Sequence, residues 1–108
     1  MPAPLPPLVE RFVAAVNGGD SQAFLALFGD ESIVTDWGDR YVGIAAISEW
    51  NDREMIGAKG TLTVSEVKTR PNEIIFNGDW KSSVFTGPGR FVLHLEGERI
   101  REMRISEA

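Results

Sequence analysis

The chain has 108 residues, 43% of them hydrophobic and 25% charged, with a formal net charge of -5. That length and composition fit one globular domain, residues 1–108, built on one core, and they exclude a disordered chain. Eleven Lys and Arg against sixteen Asp and Glu leave no basic stripe, which argues against nucleic acid as a partner.

There is no cysteine, and His94 is the single histidine. Disulfides, thiol nucleophiles, thiolate metal sites and sites needing two histidines are excluded within one chain, and no metal is expected. The N-terminus has neither the positive charge nor the apolar run of a signal peptide. No segment approaches the roughly 18 apolar residues of a membrane span, so a cytoplasmic location without membrane contact is expected.

Residues 1–7 are proline-rich and expected to be extended, with Pro6 or Pro7 suited to a first helical turn. Leu5, Leu8, Val9, Phe12, Val13 and Val16 then fall at three- and four-residue spacings, the stripe of an amphipathic helix. Asn17, Gly18 and Gly19 stop it. Asp20 is placed to cap a second helix, with Phe24, Leu27 and Phe28 as its buried face and Gly29-Asp30 as its end. Residues 32–36 are rich in β-branched side chains and read as a short strand. Trp37 to Arg40 form a tight turn, and Tyr41-Val42 the returning strand.

Gly43 opens a third helix with Ile44, Ile47, Trp50 and Met55 on its apolar face, and Gly57 to Gly60 break it. From Thr61 onward the pattern has period two. One strand ends near Arg70, and Pro71-Asn72 turns the chain. A long stretch from Glu73 to Phe85 carries Gly78 at an expected bulge or bend. Thr86 to Gly89 read as the next turn. Phe91, Leu93 and Leu95 share one face of a strand whose other face carries Val92, His94 and Glu96. Gly97-Glu98 turns into a last strand, Arg99 to Ile105. Helices precede a strand meander, so the class is α+β.

The run FVAAVNGGDSQAFLALFGDESIVTDWGDRYVGIAAISEW, from Phe12 to Trp50, resembles the N-terminal half of nuclear transport factor 2-like proteins. These include ketosteroid isomerases and SnoaL-like polyketide cyclases. The tail GPGRFVLHLEGERIREMRI, from Gly87 to Ile105, resembles the last two strands of that superfamily. The resemblance implies a cystatin-like, cone-shaped fold: a curved antiparallel sheet wrapped around three helices, with a pocket between them. It also implies a homodimer that packs sheet against sheet. Apolar residues on both strand faces, Ile74 with Ile75 and Val92 with Leu93, agree with a dimer through the outer face.

By the VTD match, Asp36 resembles the general-base aspartate of ketosteroid isomerases. A carboxylate among aromatic walls is poorly solvated and holds a proton more tightly, which suits proton shuttling beside a carbonyl. The other reading is local: Asp36 caps the Trp37-Gly38 turn or pairs with Arg40. The resemblance also places Phe12 and Phe91 where the isomerases carry their tyrosine and protonated-aspartate donors. Losing one oxyanion donor costs about a hundredfold or more, which argues against true ketosteroid isomerase activity.

Phe12 and Phe91 are then pocket lining or core. Phe28, Trp37, Trp50, Met55 and Trp80 are the remaining candidate ligand contacts, and packing is the other role open to each. A polar group facing Asp36 would come from Tyr41, Asn51, Ser83 or Asn77. His94 is expected on the outer surface or at a dimer contact, and Asp79 points outward by strand parity.

Two functions follow. One is a SnoaL-like pocket for a small apolar or aromatic molecule, with cofactor-free isomerase, cyclase or dehydratase chemistry at Asp36. The other is a non-catalytic ligand-binding or protein-interaction dimer module.

Overall fold

Proline at a helix's first position loses no hydrogen bond, because the first N–H groups of a helix have no partner there. The first helix, α1 (Pro7–Gly18), uses Pro7 in this way, while Pro6 before it is extended. The computed structural model describes residues 5–107. Pro2 and Pro4 of the expected extended segment lie outside the described residues. Gly19 ends α1 with φ of 69°, the left-handed geometry that favours glycine. Asn17 then ties the helix to the sheet. Its side-chain oxygen accepts from the Leu62 N–H at 2.7 Å, and its amide donates to the Leu62 carbonyl at 2.9 Å.

Asp20 caps the second helix, α2 (Ser21–Leu25), by accepting from the Ala23 N–H at 3.0 Å. This helix is a single turn, shorter than its apolar spacing suggests. Phe28 does not belong to it: Phe28 begins strand β1 (Phe28–Asp36). The Ile100 N–H donates to the Leu27 carbonyl at 2.7 Å, so the sheet captures the chain before another helical turn can form. Strand β2 (Asp39–Val42) follows, then α3 (Ile44–Glu54), opened by Gly43 at φ of 89°. Strands β3 (Thr61–Arg70), β4 (Glu73–Lys81), β5 (Thr86–Glu96) and β6 (Arg99–Ser106) complete the chain.

The six strands form one curved sheet in the order β2-β1-β6-β5-β4-β3. Every pairing is antiparallel except β1 with β6, which run parallel. That junction joins the early hairpin to the late meander. Bulges bend the sheet, since an extra residue on one strand shortens its partner's edge. The expected irregularity near Gly78 lies across from it, at Ser65, where the β3–β4 register shifts. A Cβ on Gly78 would come 2.9 Å from the Thr63 carbonyl, so glycine lets the two backbones close up at the bend.

The reversal between β4 and β5 also differs from the sequence pattern. The turn is made at Ser82 to Phe85, and Gly87 and Gly89 pair with Trp80 and Gly78 inside the ladder. Ser82 makes the turn: its hydroxyl oxygen accepts the Val84 and Phe85 N–H groups at 3.3 and 3.1 Å. That local cap outcompetes the Gly-Pro-Gly signal that begins at Gly87.

The core lies between the three helices and the inner sheet face. Phe12 is fully buried, with ring centroids 5.3, 5.6 and 6.1 Å from Phe24, Phe76 and Phe91. Leu62, Ile74, Leu93, Ile100 and Met103 fill the space around them. The outer sheet face carries exposed Lys68, Arg90 and Arg104 around the half-buried pair Ile75 and Val92, which sit side by side. Among the described residues no helix is long and apolar enough to cross a membrane.

Candidate functional site

A glycine on the inner face of a sheet leaves a side chain's worth of space. Gly89 lies in β5 opposite Gly78 of β4, so side-chain volume is missing beside Phe91 at one end of the sheet. The cleft opens there, with a volume of about 290 Å³. Its walls come from the ends of several elements: Asp36 and Trp37 at the end of β1, Glu54 and Met55 at the end of α3, and Trp80 on β4. Val84 and Phe85 of the following turn, Gly89 and Phe91 of β5, and Ile105 of β6 close it.

The β1–β2 turn aims Asp36. Asp36 and Asp39 face each other across it, and Trp37 and Gly38 between them both have positive φ, 50° and 93°. A two-residue hairpin in this conformation matches the twist of its strands, although an aromatic residue adopts it at some steric cost. Trp37 is left 52% exposed at the cleft mouth, its ring 6.2 Å from that of Phe85, itself 48% exposed. These two rings form an apolar rim.

Behind the carboxyl stands Trp50, fully buried on α3. Its indole Nε1–H donates to Asp36 Oδ2 at 3.0 Å. Burial raises the Asp36 carboxyl above its ordinary proton affinity; the Trp50 N–H, which favours the charged form, offsets part of this, and the Asp39 carboxylate adds a further rise. No ion pair joins Asp36 to Arg40 among the described residues.

Five of the eight sequence candidates therefore meet at this cleft: Asp36, Trp37, Met55, Trp80 and Phe91. Phe12, Phe28 and Trp50 do not line it. They are buried in the core, where Phe12 meets Phe24, Phe76 and Phe91, and Phe28 lies 5.2 Å from Phe24. Strand and helix periodicity shows which residues face inward, and cannot separate a core wall from a cavity wall.

The four polar groups considered as partners for Asp36 lie elsewhere. The Tyr41 hydroxyl accepts from Arg53 at 3.2 Å, and buried Asn51 donates to Ser21 at 3.0 Å. Ser83 donates to the Ala58 carbonyl at 3.1 Å, and Asn77 accepts from Arg90 at 3.3 Å. The second polar side chain of the cleft is Glu54, which the sequence reading passed over. Its signal was present: Glu54 follows Trp50 by four residues, one helical turn along the same face. His94 faces outward, its Nδ1 3.7 Å from Glu73 Oε2, and Asp79 is exposed.

No protein-family model matches the chain, and no curated protein matches it. Solved structures do. A Sinorhizobium meliloti protein described as a candidate polyketide cyclase superposes with a TM-score of 0.81 at 19% identity, over 94% of this chain and 95% of that one. A nuclear transport factor 2-like protein of unknown function from Cytophaga hutchinsonii gives 0.81 at 17% identity, over 98% and 93%. A Catenulispora acidiphila protein of ketosteroid isomerase-like fold, solved in complex with trimethylamine, gives 0.80 at 19% identity, over 97% and 88%. At these identities the likeness is one of architecture, and by its architecture this chain has the nuclear transport factor 2-like fold.

Proposed function

We propose that the cleft beside Asp36 binds a small molecule with an apolar or aromatic body, and that Asp36 acts there as the proton acceptor of a cofactor-free reaction. One observation carries this reading. The carboxyl of Asp36 stands in a largely apolar cleft of about 290 Å³, fixed by Trp50 and holding its proton more tightly than an ordinary aspartate. That volume lies at the small end of ligand sites.

A base must be placed before it can act, and its orientation here is set by two rigid parts, the end of β1 and the indole of α3. Partial desolvation makes the carboxylate a better acceptor than it is in water. The Trp50 hydrogen bond keeps one oxygen occupied and leaves the other for a substrate proton. A carbon acid whose proton lies against that free oxygen gives up the proton to Asp36. The electron pair shifts within the substrate, and the same carboxyl returns the proton at a second position, giving an isomer, or to a hydroxyl that the electron pair expels as water.

A binding-only role is the second reading, and one feature favours it. The lining contains no serine, threonine, tyrosine, asparagine or glutamine side chain to hold a developing enolate oxygen. Asp36 would then serve only to orient a ligand.

Filling the cleft tests both readings against a closed core. A Cβ on Gly89 would meet Phe91 at 3.7 Å and the Ser106 carbonyl at 3.8 Å, ordinary contacts. The Cβ of Gly89→Leu is therefore accommodated, and its remaining atoms are expected to occupy the cleft. Small molecules that co-purify with the wild-type chain, seen by mass spectrometry, should be absent from this variant. A variant that retains them would place the ligand elsewhere.

We also propose a homodimer through the outer sheet face, centred on Ile75 and Val92. Light scattering at micromolar concentration should give the mass of two chains, and the mass of one chain would rule the dimer out.

A further inference from the structure

The cleft marks the site, and its charge describes the occupant. Two of its lining side chains are carboxylates, Asp36 and Glu54, and none is lysine, arginine or histidine. Among the described residues neither carboxylate forms an ion pair. Asp39, directly across the hairpin from Asp36, adds a third charge of the same sign. Arg53, next to Glu54 in the chain, is engaged with Tyr41, its guanidinium 5.6 Å from the ring centroid. The whole chain is acidic as well, at -5. The rest of the wall is soft and aromatic: Trp37, Trp80, Phe85, Phe91 and Met55.

These features agree on one class of ligand. An anion would meet two like charges and no basic partner. A neutral apolar body would displace water from the carboxylates and return nothing for it. A cation is attracted by both carboxylates and by the negative faces of aromatic rings. We propose that the occupant of this cleft is an organic cation: an ammonium group on an apolar or aromatic body, held between Asp36, Glu54 and the aromatic walls. The proposal rests on the reading of the cleft as a small-molecule site and names the class of molecule.

The test compares two molecules of the same shape. Benzyltrimethylammonium carries the charge, and neopentylbenzene replaces its nitrogen by carbon; phenylacetate supplies the opposite charge. Affinities are read from the quenching of tryptophan fluorescence at low ionic strength. The cation is expected to bind about tenfold or more tighter than its neutral isostere, with phenylacetate weakest of the three. Glu54→Gln and Asp36→Asn should each reduce the ratio of cation to neutral affinity, as should added salt. A neutral isostere that binds as tightly as the cation overturns the cationic class and leaves the small-molecule site standing. Failure of all three to bind, or binding that survives Gly89→Leu, overturns the site itself.

Discussion

Asp36→Asn is expected to slow proton abstraction in the cleft by about a hundredfold or more, and at the same time to stabilise the fold at neutral pH. A suitable probe is 5-nitrobenzisoxazole, an aromatic carbon acid. Loss of its ring C–H proton to a carboxylate breaks the N–O bond and releases a coloured phenolate. The asparagine amide keeps an oxygen to accept the Trp50 N–H, so the geometry around α3 survives while the base is gone. Equal rates in the two proteins would mean that Asp36 only orients the ligand, and the binding-only reading would stand.

The stability half of this prediction follows from the direction of the pKa shift. Burial raises the folded-state proton affinity of Asp36 above its unfolded value, with Trp50 opposing and Asp39 adding to it. Between the unfolded and folded values the native state binds more protons than the unfolded state. The contribution of Asp36 to stability is therefore full at low pH and is lost as pH rises through its folded value. At neutral pH the charged carboxylate is held at a cost that an amide does not bear. Melting curves should show Asp36→Asn above wild type at pH 7, with the gap narrowing as pH falls through the folded value of Asp36 and closed below about pH 4, where unfolded aspartates protonate. A wild-type protein more stable than the variant at pH 7 would show that the charged carboxylate has favourable partners. A gain in stability on removing a functional group is the usual mark of a site that trades stability for activity.

Phe12→Ala is expected to cost about 3–5 kcal/mol, the usual range for deleting a buried ring. For a domain of this size that lowers the melting temperature by more than about 10 °C. Phe12 is fully buried and meets three other rings, so truncation leaves a cavity that no single neighbour can fill. Phe12→Tyr sharpens the point. If Phe12 lined the cleft, a tyrosine there would restore a donor of the isomerase type and raise the rate on carbonyl substrates. The structure places Phe12 in the core, among aromatic rings, where a new hydroxyl has no partner and costs about 1–3 kcal/mol. Thermal unfolding of both variants, with the rate measured on Phe12→Tyr, checks this. A Phe12→Tyr protein as stable as wild type and faster would put residue 12 at the site.

Local signals in the sequence translated well into local structure. Pro7 at the start of α1, Gly19 at its end, the Asp20 cap, and Gly43 opening α3 each rest on backbone geometry that one or two residues dictate. The Trp37-Gly38 turn and the Pro71-Asn72 turn belong to the same class. The errors arose where two local codes competed. Phe24, Leu27 and Phe28 satisfy a helical spacing, and they equally satisfy one helical turn followed by a strand; pairing with β6 decides between them. Gly87-Pro88-Gly89 has turn composition, yet Ser82 makes the turn earlier, and Gly89 leaves the inner face hollow at the cleft.

The site was legible in part for the same reason. Asp36, Trp37 and Met55 sit at element ends, which the sequence marks. Val84 and Phe85 reach the cleft only because the reversal falls at Ser82, and Glu54 reaches it because α3 runs its full length to that residue. The roles of Phe12, Phe28 and Trp50 could not be separated from those of Trp80 and Phe91 by periodicity, since all five face inward.

The most direct measurement is the titration of the Asp36 side-chain carboxyl by carbon NMR, assigned through Asp36→Asn. A hollow at position 36, dry enough to favour the protonated acid, requires a midpoint above that of a free aspartate, and replacing Trp50 by Phe should raise it further. A midpoint at or below the ordinary value, unmoved by the loss of the indole, would place this carboxyl in open water and remove the chemical basis of the site.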